Sequence, residues 1–159
     1  PGDVVGSTSE KTGAVATGTT NTDFDDSIPP ITQGDQYMSL PAYTPKSIMN
    51  RRRIVFNASM FSTSLDDDQV TVALHRTGTT DAIRAVTCRL EFVASAAPDS
   101  VTLIDEGAFE SASAITYTIR AGLNEGDAQA RTLTFNGTAG GRIYGSVAGS
   151  ILTLEEIHG

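Results

Sequence analysis

The sequence has no tryptophan, a single cysteine and only two histidines among its 159 residues. One cysteine excludes an intramolecular disulfide and a zinc site built from several cysteines. No run of 18 apolar residues occurs, so no membrane-spanning helix is predicted. The amino terminus, which begins with Pro1, also lacks the basic and apolar regions of a secretory signal peptide. Proline commonly follows a removed initiator methionine, which favours a complete gene product over an excised piece.

Basic residues are scarce as well. Eleven lysines and arginines stand against nineteen acids, which gives a net charge of −8 and a pI near 4.6. This balance argues against direct binding of nucleic acid. The length predicts one domain, and the 39% of hydrophobic residues is enough for one core. We expect no cofactor and no membrane partner.

Residue types that carry catalysis or bind metals are not grouped in this sequence. His75 and His158 lack metal-ligand spacing and are expected at the surface. The acids 66–68 could attract calcium only from a suitably folded loop, and a solvated loop is the favoured interpretation. The acids 105–106 with Glu110 are a weak candidate for glycoside hydrolysis, because no tryptophan is present to stack a sugar. The sequence therefore predicts no catalytic and no metal-binding residue, and a glycan-acting enzyme is a remote alternative.

Apolar residues recur at every second position in most of the chain after residue 34. This period is typical of half-buried strands, and turn-forming clusters separate the segments. The segments are 54–60, 70–74, 86–94, 115–119 and 133–135. The pattern predicts an all-β fold, an antiparallel β-sandwich or jelly roll of about eight strands.

The first 27 residues have a different composition, rich in threonine, serine and acids and poor in core-forming side chains. The prolines at 29 and 30 end this segment. We predict an extended N-terminal arm over residues 1–27 and a β-sandwich domain over 28–159, with a frayed terminus as the alternative to a docking arm. The residues proposed to bind a partner are Val4, Val5, Val15, Phe24, Asp25, Asp26 and Ile28.

The segment from Arg142 to Ile157 reads as a last strand that is apolar on both faces and contains glycines. Glycine inside a strand often marks a bulge or a close approach of another backbone. Such a strand is either central in the fold or in contact with a second chain, and we favour the contact. The predicted subunit-contact residues are Ile143, Gly145, Val147, Gly149 and Ile151.

Several short motifs resemble, in their order along the chain, a β-sandwich module of tailed-bacteriophage virion proteins. The similar segments are residues 25–38, Thr44-Pro45-Lys46-Ser47 with Asn50, Arg120-Ala121-Gly122, Thr134-Phe135-Asn136-Gly137, 141–145 and 151–157. The resemblance covers about residues 25–157. The acidic stretch 99–113, which reads as a strand end and a loop, departs from the pattern of that module.

This resemblance implies a jelly-roll-like structural protein of the phage particle. Its expected function is capsid decoration: the protein, made in the host cytoplasm, would bind the major capsid protein or other virion proteins on the particle surface through its N-terminal arm. The alternative is a tail-fibre tip or tail-associated module that binds a receptor. The resemblance also implies a homo-oligomer, with a trimer favoured over a dimer.

Overall fold

The structure, a computed structural model, describes residues 2–63, 68–90, 99–124 and 131–159. These residues form twelve strands and one short 3-10 helix, Tyr144–Ser146. No helix among them is long and apolar enough to cross a membrane. The strands are β1 (Val4–Thr12), β2 (Ala16–Gly18), β3 (Asp35–Ser39), β4 (Arg51–Thr63), β5 (Asp68–Arg76), β6 (Arg84–Leu90), β7 (Asp99–Ala108), β8 (Tyr117–Leu123), β9 (Leu133–Phe135), β10 (Gly137–Thr138), β11 (Gly141–Arg142) and β12 (Ser150–Ile157).

The first sheet is built around the long strand β4. Its six strands run in the order β1–β12–β4–β9–β2, and β7 pairs with the opposite edge of β4. Both β12 and β9 pair with the same edge of β4, β12 along residues 51–57 and β9 along residues 61–63. The sheet is therefore four strands wide, with β1 and β2 together forming one of its edges.

The second sheet has four antiparallel strands in the order β3–β8–β5–β6. Its inner side chains share one hydrophobic core with those of the first sheet; Phe56 and Leu152 come from the first sheet, Leu74 and Ile119 from the second. All four of these side chains are completely buried. The protein is thus an all-β, antiparallel sandwich, as the two-residue periodicity predicts.

The alternation within individual strands is also confirmed. Ile54, Phe56 and Ala58 are buried along β4, whereas Arg53 and Asn57 between them are exposed. The adjacent arginines at the start of β4 lie on opposite faces for the same reason, so that only Arg52 is buried. Residues 91–94 of the predicted third segment lie outside the described residues.

The N-terminal arm predicted for residues 1–27 is corrected by the strand pairing. β1 pairs with β12 from Val4 opposite Ile157 to Thr12 opposite Ser150, and β2 pairs with β9. The segment is extended, but its backbone hydrogen bonds are made within the same sandwich. Position 28 is therefore not a boundary between an arm and a separate domain in this structure.

The acidic stretch 99–113 also differs from the expectation of a strand end and loop, because its first ten residues form β7. Val101 and Leu103 point into the core and are buried. The acids are neutralised across the sheet: Asp105 pairs with Arg52 at 3.0 Å, and Glu106 lies 3.6 Å from both Arg51 and Arg53. Charge pairing with β4 thus explains why so acidic a segment can be a strand.

The last strand is shorter than the predicted span of residues 142–157. β12 begins only at Ser150, because the chain turns through β11 and the 3-10 helix before it. Gly145 has a φ of 58°, in the left-handed region where glycine avoids the strain of a side chain. The predicted continuous strand is therefore wrong in its first half, which is a loop.

Candidate functional site: the distal loop and the strap

Residues 136–149, here called the distal loop, connect β9 to β12 at one end of the sandwich. Three of their non-glycine residues have positive φ angles: Asn136 (56°), Ala139 (46°) and Tyr144 (53°). A left-handed backbone at a non-glycine residue costs about 1–3 kcal/mol and persists only where the surrounding structure enforces it. The loop thus has a defined shape rather than the lowest-energy local one.

Asn136 is the residue that enforces this shape at the base of the loop. Its side chain is buried, and Oδ1 accepts hydrogen bonds from Ser150 Oγ at 2.6 Å and Ser59 Oγ at 3.1 Å. Its Nδ2 donates to the carbonyls of Thr12 at 3.0 Å and Ala14 at 3.2 Å. One amide therefore joins the loop to β4, β12 and the end of β1.

The distal loop holds two large apolar side chains in solvent. Tyr144 is 74% exposed and Val147 is 83% exposed, and Val147 N donates to the Tyr144 carbonyl at 3.1 Å. The chain termini lie at the other end of β12, where His158 N donates to the Asp3 carbonyl at 2.9 Å. The eight residues of β12 separate the two ends by about 24 Å.

The predicted subunit-contact residues divide into two groups. Val147 and Gly145 are exposed in the loop, and nothing lies within 4 Å of a Cβ built on Gly145. Gly149 does mark a close backbone approach, but to Thr12 O of the same chain, 3.1 Å from the built Cβ. Ile151 lies on the outer face of the first sheet and is 38% exposed. Ile143 is half-buried in the loop.

Residues 21–34, here called the strap, cross the outer face of the second sheet. Thr22 N donates to Leu123 O at 2.9 Å at one end, and Ile31 N donates to Thr80 O at 2.6 Å at the other. Arg120 holds the returning limb by donating to the carbonyls of Gln33 at 3.1 Å and Gly34 at 2.6 Å. The strap is thus fixed to β8 and to the loop between β5 and β6.

Four of the predicted partner-binding residues lie together on this strap. Phe24 is 63% exposed and Ile28 is 60% exposed, and Asp25 and Asp26 between them are exposed as well. A hydrogen bond from Ser27 to the Asp25 carboxylate lowers the pKa of Asp25. The exposed strap is a second candidate interaction surface.

The other three predicted partner-binding residues lie apart from the strap, in the edge of the first sheet. Val4 is 55% exposed, and Val5 and Val15 are half-buried. Val5 and Val15 therefore have less free surface for a partner than the sequence suggests.

His75 is the buried residue that sequence reasoning placed at the surface. It lies on the outer side of β5, as the alternation predicts, but it is completely buried together with Thr71 and Ala73 because the strap crosses this face. Neither ring nitrogen has a hydrogen-bond partner among the described residues. Burial and the nearby Arg120 lower the pKa of His75, while Asp81 acts in the opposite direction. The expectation of a surface histidine is therefore wrong.

Glu156 is a buried carboxylate in which the motifs at residues 44–50 and 151–157 meet. It accepts hydrogen bonds from Tyr43 Oη at 2.6 Å, Asn50 Nδ2 at 2.6 Å and the backbone of Lys46 and Ser47 at 2.9–3.1 Å. Burial raises the pKa of Glu156, but these hydrogen bonds outweigh that effect and hold it below its usual value. Burial and Glu156 raise the pKa of Tyr43 to about 12.

These interactions make Glu156 an anchor for the 43–50 loop. Its oxygens are engaged by local donors, and a general base needs a free lone pair toward its substrate. The residues that carry the resemblance at this point thus hold the fold together.

The remaining acidic candidates are engaged with arginines. Asp105 contacts Arg52, and Glu110 contacts Arg76. Asp68 is buried against Arg131, while the other acids of the predicted cation loop, 66 and 67, lie outside the described residues. No group of three or more metal-binding side chains occurs in the described parts of the chain.

Comparison with known proteins adds no relative to this description. No family model matches the chain, and no curated protein matches it. The functional argument is therefore carried by the chain's own surfaces.

Proposed function

We propose that the chain is a non-enzymatic structural protein of a tailed-bacteriophage particle, which decorates the assembled capsid and stabilises it. The observation that carries the proposal is the distal loop, where an anchored base presents Tyr144 and Val147 to solvent. Exposed tyrosine and apolar side chains on a preformed backbone suit a protein partner, since little conformational entropy is lost on binding. The proposed partner is the major capsid protein or a neighbouring virion protein.

The strand order supports this proposal by analogy. Each half of the sandwich is four strands wide, β1–β12–β4–β7 and β3–β8–β5–β6, an arrangement that fits an eight-stranded jelly roll. Jelly rolls are common in viral capsid proteins, although a fold by itself does not determine a function. The ordered motifs that resemble the phage module point in the same direction.

We place the attachment in the distal loop rather than in the N-terminal residues, because β1 and β2 are already paired within the sandwich. One loop gives a small contact, but many copies on a lattice bind together and multiply the effect. A homo-oligomer, with a trimer favoured over a dimer, would place several loops on one face and add to this avidity.

A tail-fibre tip that binds a receptor is the second candidate. The specific observation that favours it is the separation of the described termini from Tyr144 and Val147 by the length of β12. A module held at its termini would present the distal loop outward.

The experiment is to locate and count the protein in particles made by the genome that encodes it. Quantitative mass spectrometry of purified particles gives the copy number, and gold-labelled antibody shows the position. Hundreds of copies on the head support decoration, and a few copies at the tail support the tip module. Absence from the particle, or glycan turnover by the purified chain, would overturn the proposal.

A further inference from the structure

The hydrophobic core is complete without the N-terminal residues. The buried hydrophobic side chains begin at Met38, and β1 and β2 contribute none among the described residues. The positions of β1 that face the same side as buried Leu154 and Glu156 are Thr8 and Gly6. Residues 2–18 are therefore attached to a finished core as an edge.

Most of the recorded contacts that hold this edge are made to its backbone. β1 forms a ladder with β12, Lys46 Nζ donates to Val5 O, and Asn136 donates to Thr12 O. Backbone contacts are satisfied by any extended strand that lies in the same register.

Two glycines make this edge selective for the chain's own sequence. A Cβ on Gly6 would overlap the hydroxyl of Tyr43, and a Cβ on Gly18 would overlap Asp35 and the hydroxyl of Tyr37. A foreign strand with side chains at these two places does not fit. A second copy of this chain carries both glycines at the required spacing.

The chain leaves the edge after Gly18 and passes to the second sheet through two threonines. Thr20 is fixed there by its N and Oγ1, which donate to Asp35 at 2.9 and 2.8 Å. Thr22 is buried and holds the strap in place. Rotation at Thr19 therefore releases residues 2–18 without disturbing the strap.

We infer that residues 2–18 are an exchangeable edge strand, which pairs with β12 and β9 of a second copy of the chain when copies are assembled. Exchange of identical elements conserves every contact of the closed form and links subunits at low cost. The inference does not depend on the virion assignment.

The test uses the full-length chain with Cys88→Ala and two single-cysteine populations. Ser9→Cys is placed on β1 in one population and Thr153→Cys on β12 in the other, because these positions are directly opposite in the register. The populations are mixed at high concentration and treated with a short bis-maleimide cross-linker. The control pairs Ser9→Cys with Thr102→Cys, an exposed site on β7 that lies three strands, or about 14 Å, away.

The expected result is at least tenfold more cross-linked heterodimer in the Thr153→Cys mixture than in the Thr102→Cys mixture. The double variant Ser9→Cys/Thr153→Cys should cross-link within one chain when it is dilute. A mixture that yields no heterodimer, or yields equal to the control, overturns the inference.

Discussion

The hydroxyl of Tyr43 occupies the space that a side chain on Gly6 would fill. That hydroxyl donates to Glu156 at 2.6 Å, and Gly6 lies directly opposite Glu156 in the β1–β12 ladder. The first strand, the loop before β4 and the last strand thus meet at one point. The missing side chain on β1 is what allows the tyrosine to reach the carboxylate.

Substitution of this glycine tests how closely β1 is fitted to the sandwich. Gly6→Val should reduce the free energy of unfolding by about 1–3 kcal/mol, because the added carbons force Tyr43 or β1 to move. Ser7→Val, on the exposed neighbouring position, should change it by less than about 0.5 kcal/mol. Urea unfolding of both variants measures the difference, and equal stabilities would show that β1 does not dock as described.

The two adjacent glutamates of β12 provide a matched pair. Glu156→Gln should cost about 2–4 kcal/mol, since it leaves buried donors without their charged acceptor. Glu155→Gln removes only a half-exposed carboxylate 3.9 Å from Arg53 and should cost less than about 1 kcal/mol. Chemical denaturation at neutral pH distinguishes them.

The lowered pKa of Glu156 gives this pair a pH dependence with a definite sign. The folded state favours the ionised form, so its stabilisation is present above about pH 4.5, the usual value, and is lost as the pH falls further. The wild type and Glu155→Gln should lose stability more steeply below that pH than Glu156→Gln. Parallel slopes would contradict the assigned hydrogen bonds.

His75 should make the protein sensitive to a milder acid range. Its pKa is lowered from 6.5, so the unfolded chain takes up the proton more readily and stability falls as the pH drops below about that value. His75→Gln should reduce the loss of unfolding free energy between neutral pH and about pH 5, whereas His158→Gln at the exposed chain end should not. Denaturation curves at the two pH values provide the measurement.

Asn136 combines a left-handed backbone with four hydrogen bonds, and two substitutions separate these roles. Asn136→Ala loses both and should destabilise the protein by about 3 kcal/mol. Asn136→Gly accepts the φ of 56° but loses the bonds, so an intermediate loss is expected. If the glycine variant is no better than alanine in thermal denaturation, the backbone conformation contributes nothing.

The parts of the fold that sequence predicts well are strands with one apolar face. Ile54 and Phe56 on β4 and Val70 and Val72 on β5 alternate with less apolar residues, and all four are buried. The edge strand β1 gives no such signal, because its inner positions are glycine and threonine and its stability comes from pairing with a strand about 140 residues later. Composition alone therefore favours an arm.

The strand β7 was hidden for an electrostatic reason. Asp105 and Glu106 suggest a solvated loop until the arginines of β4 are placed opposite them. The run Arg51-Arg52-Arg53 and the acids on β7 have opposite charge, which was the available signal. Pairing between segments about 50 residues apart is not encoded in local periodicity.

The candidate surfaces were predicted in part. Exposed Phe24, Ile28 and Val147 were proposed from composition, and their exposure agrees with a role in binding. Tyr144 was missed because the loop was interpreted as a strand, in which an aromatic residue reads as core. The burial of His75 was missed because the path of the strap over β5 depends on tertiary contacts.

Binding to particles that lack the protein tests the central claim most directly. Purified wild-type chain, the distal-loop variant Tyr144→Ser/Val147→Ser and the strap variant Phe24→Ser/Ile28→Ser are mixed with such particles, and the bound copies are counted. All four side chains are more than half exposed, so both variants should fold normally. The account predicts that the wild type and the strap variant bind and that the distal-loop variant binds at least tenfold fewer copies. A wild-type chain that does not bind, or a distal-loop variant that binds as fully as the wild type, would contradict it.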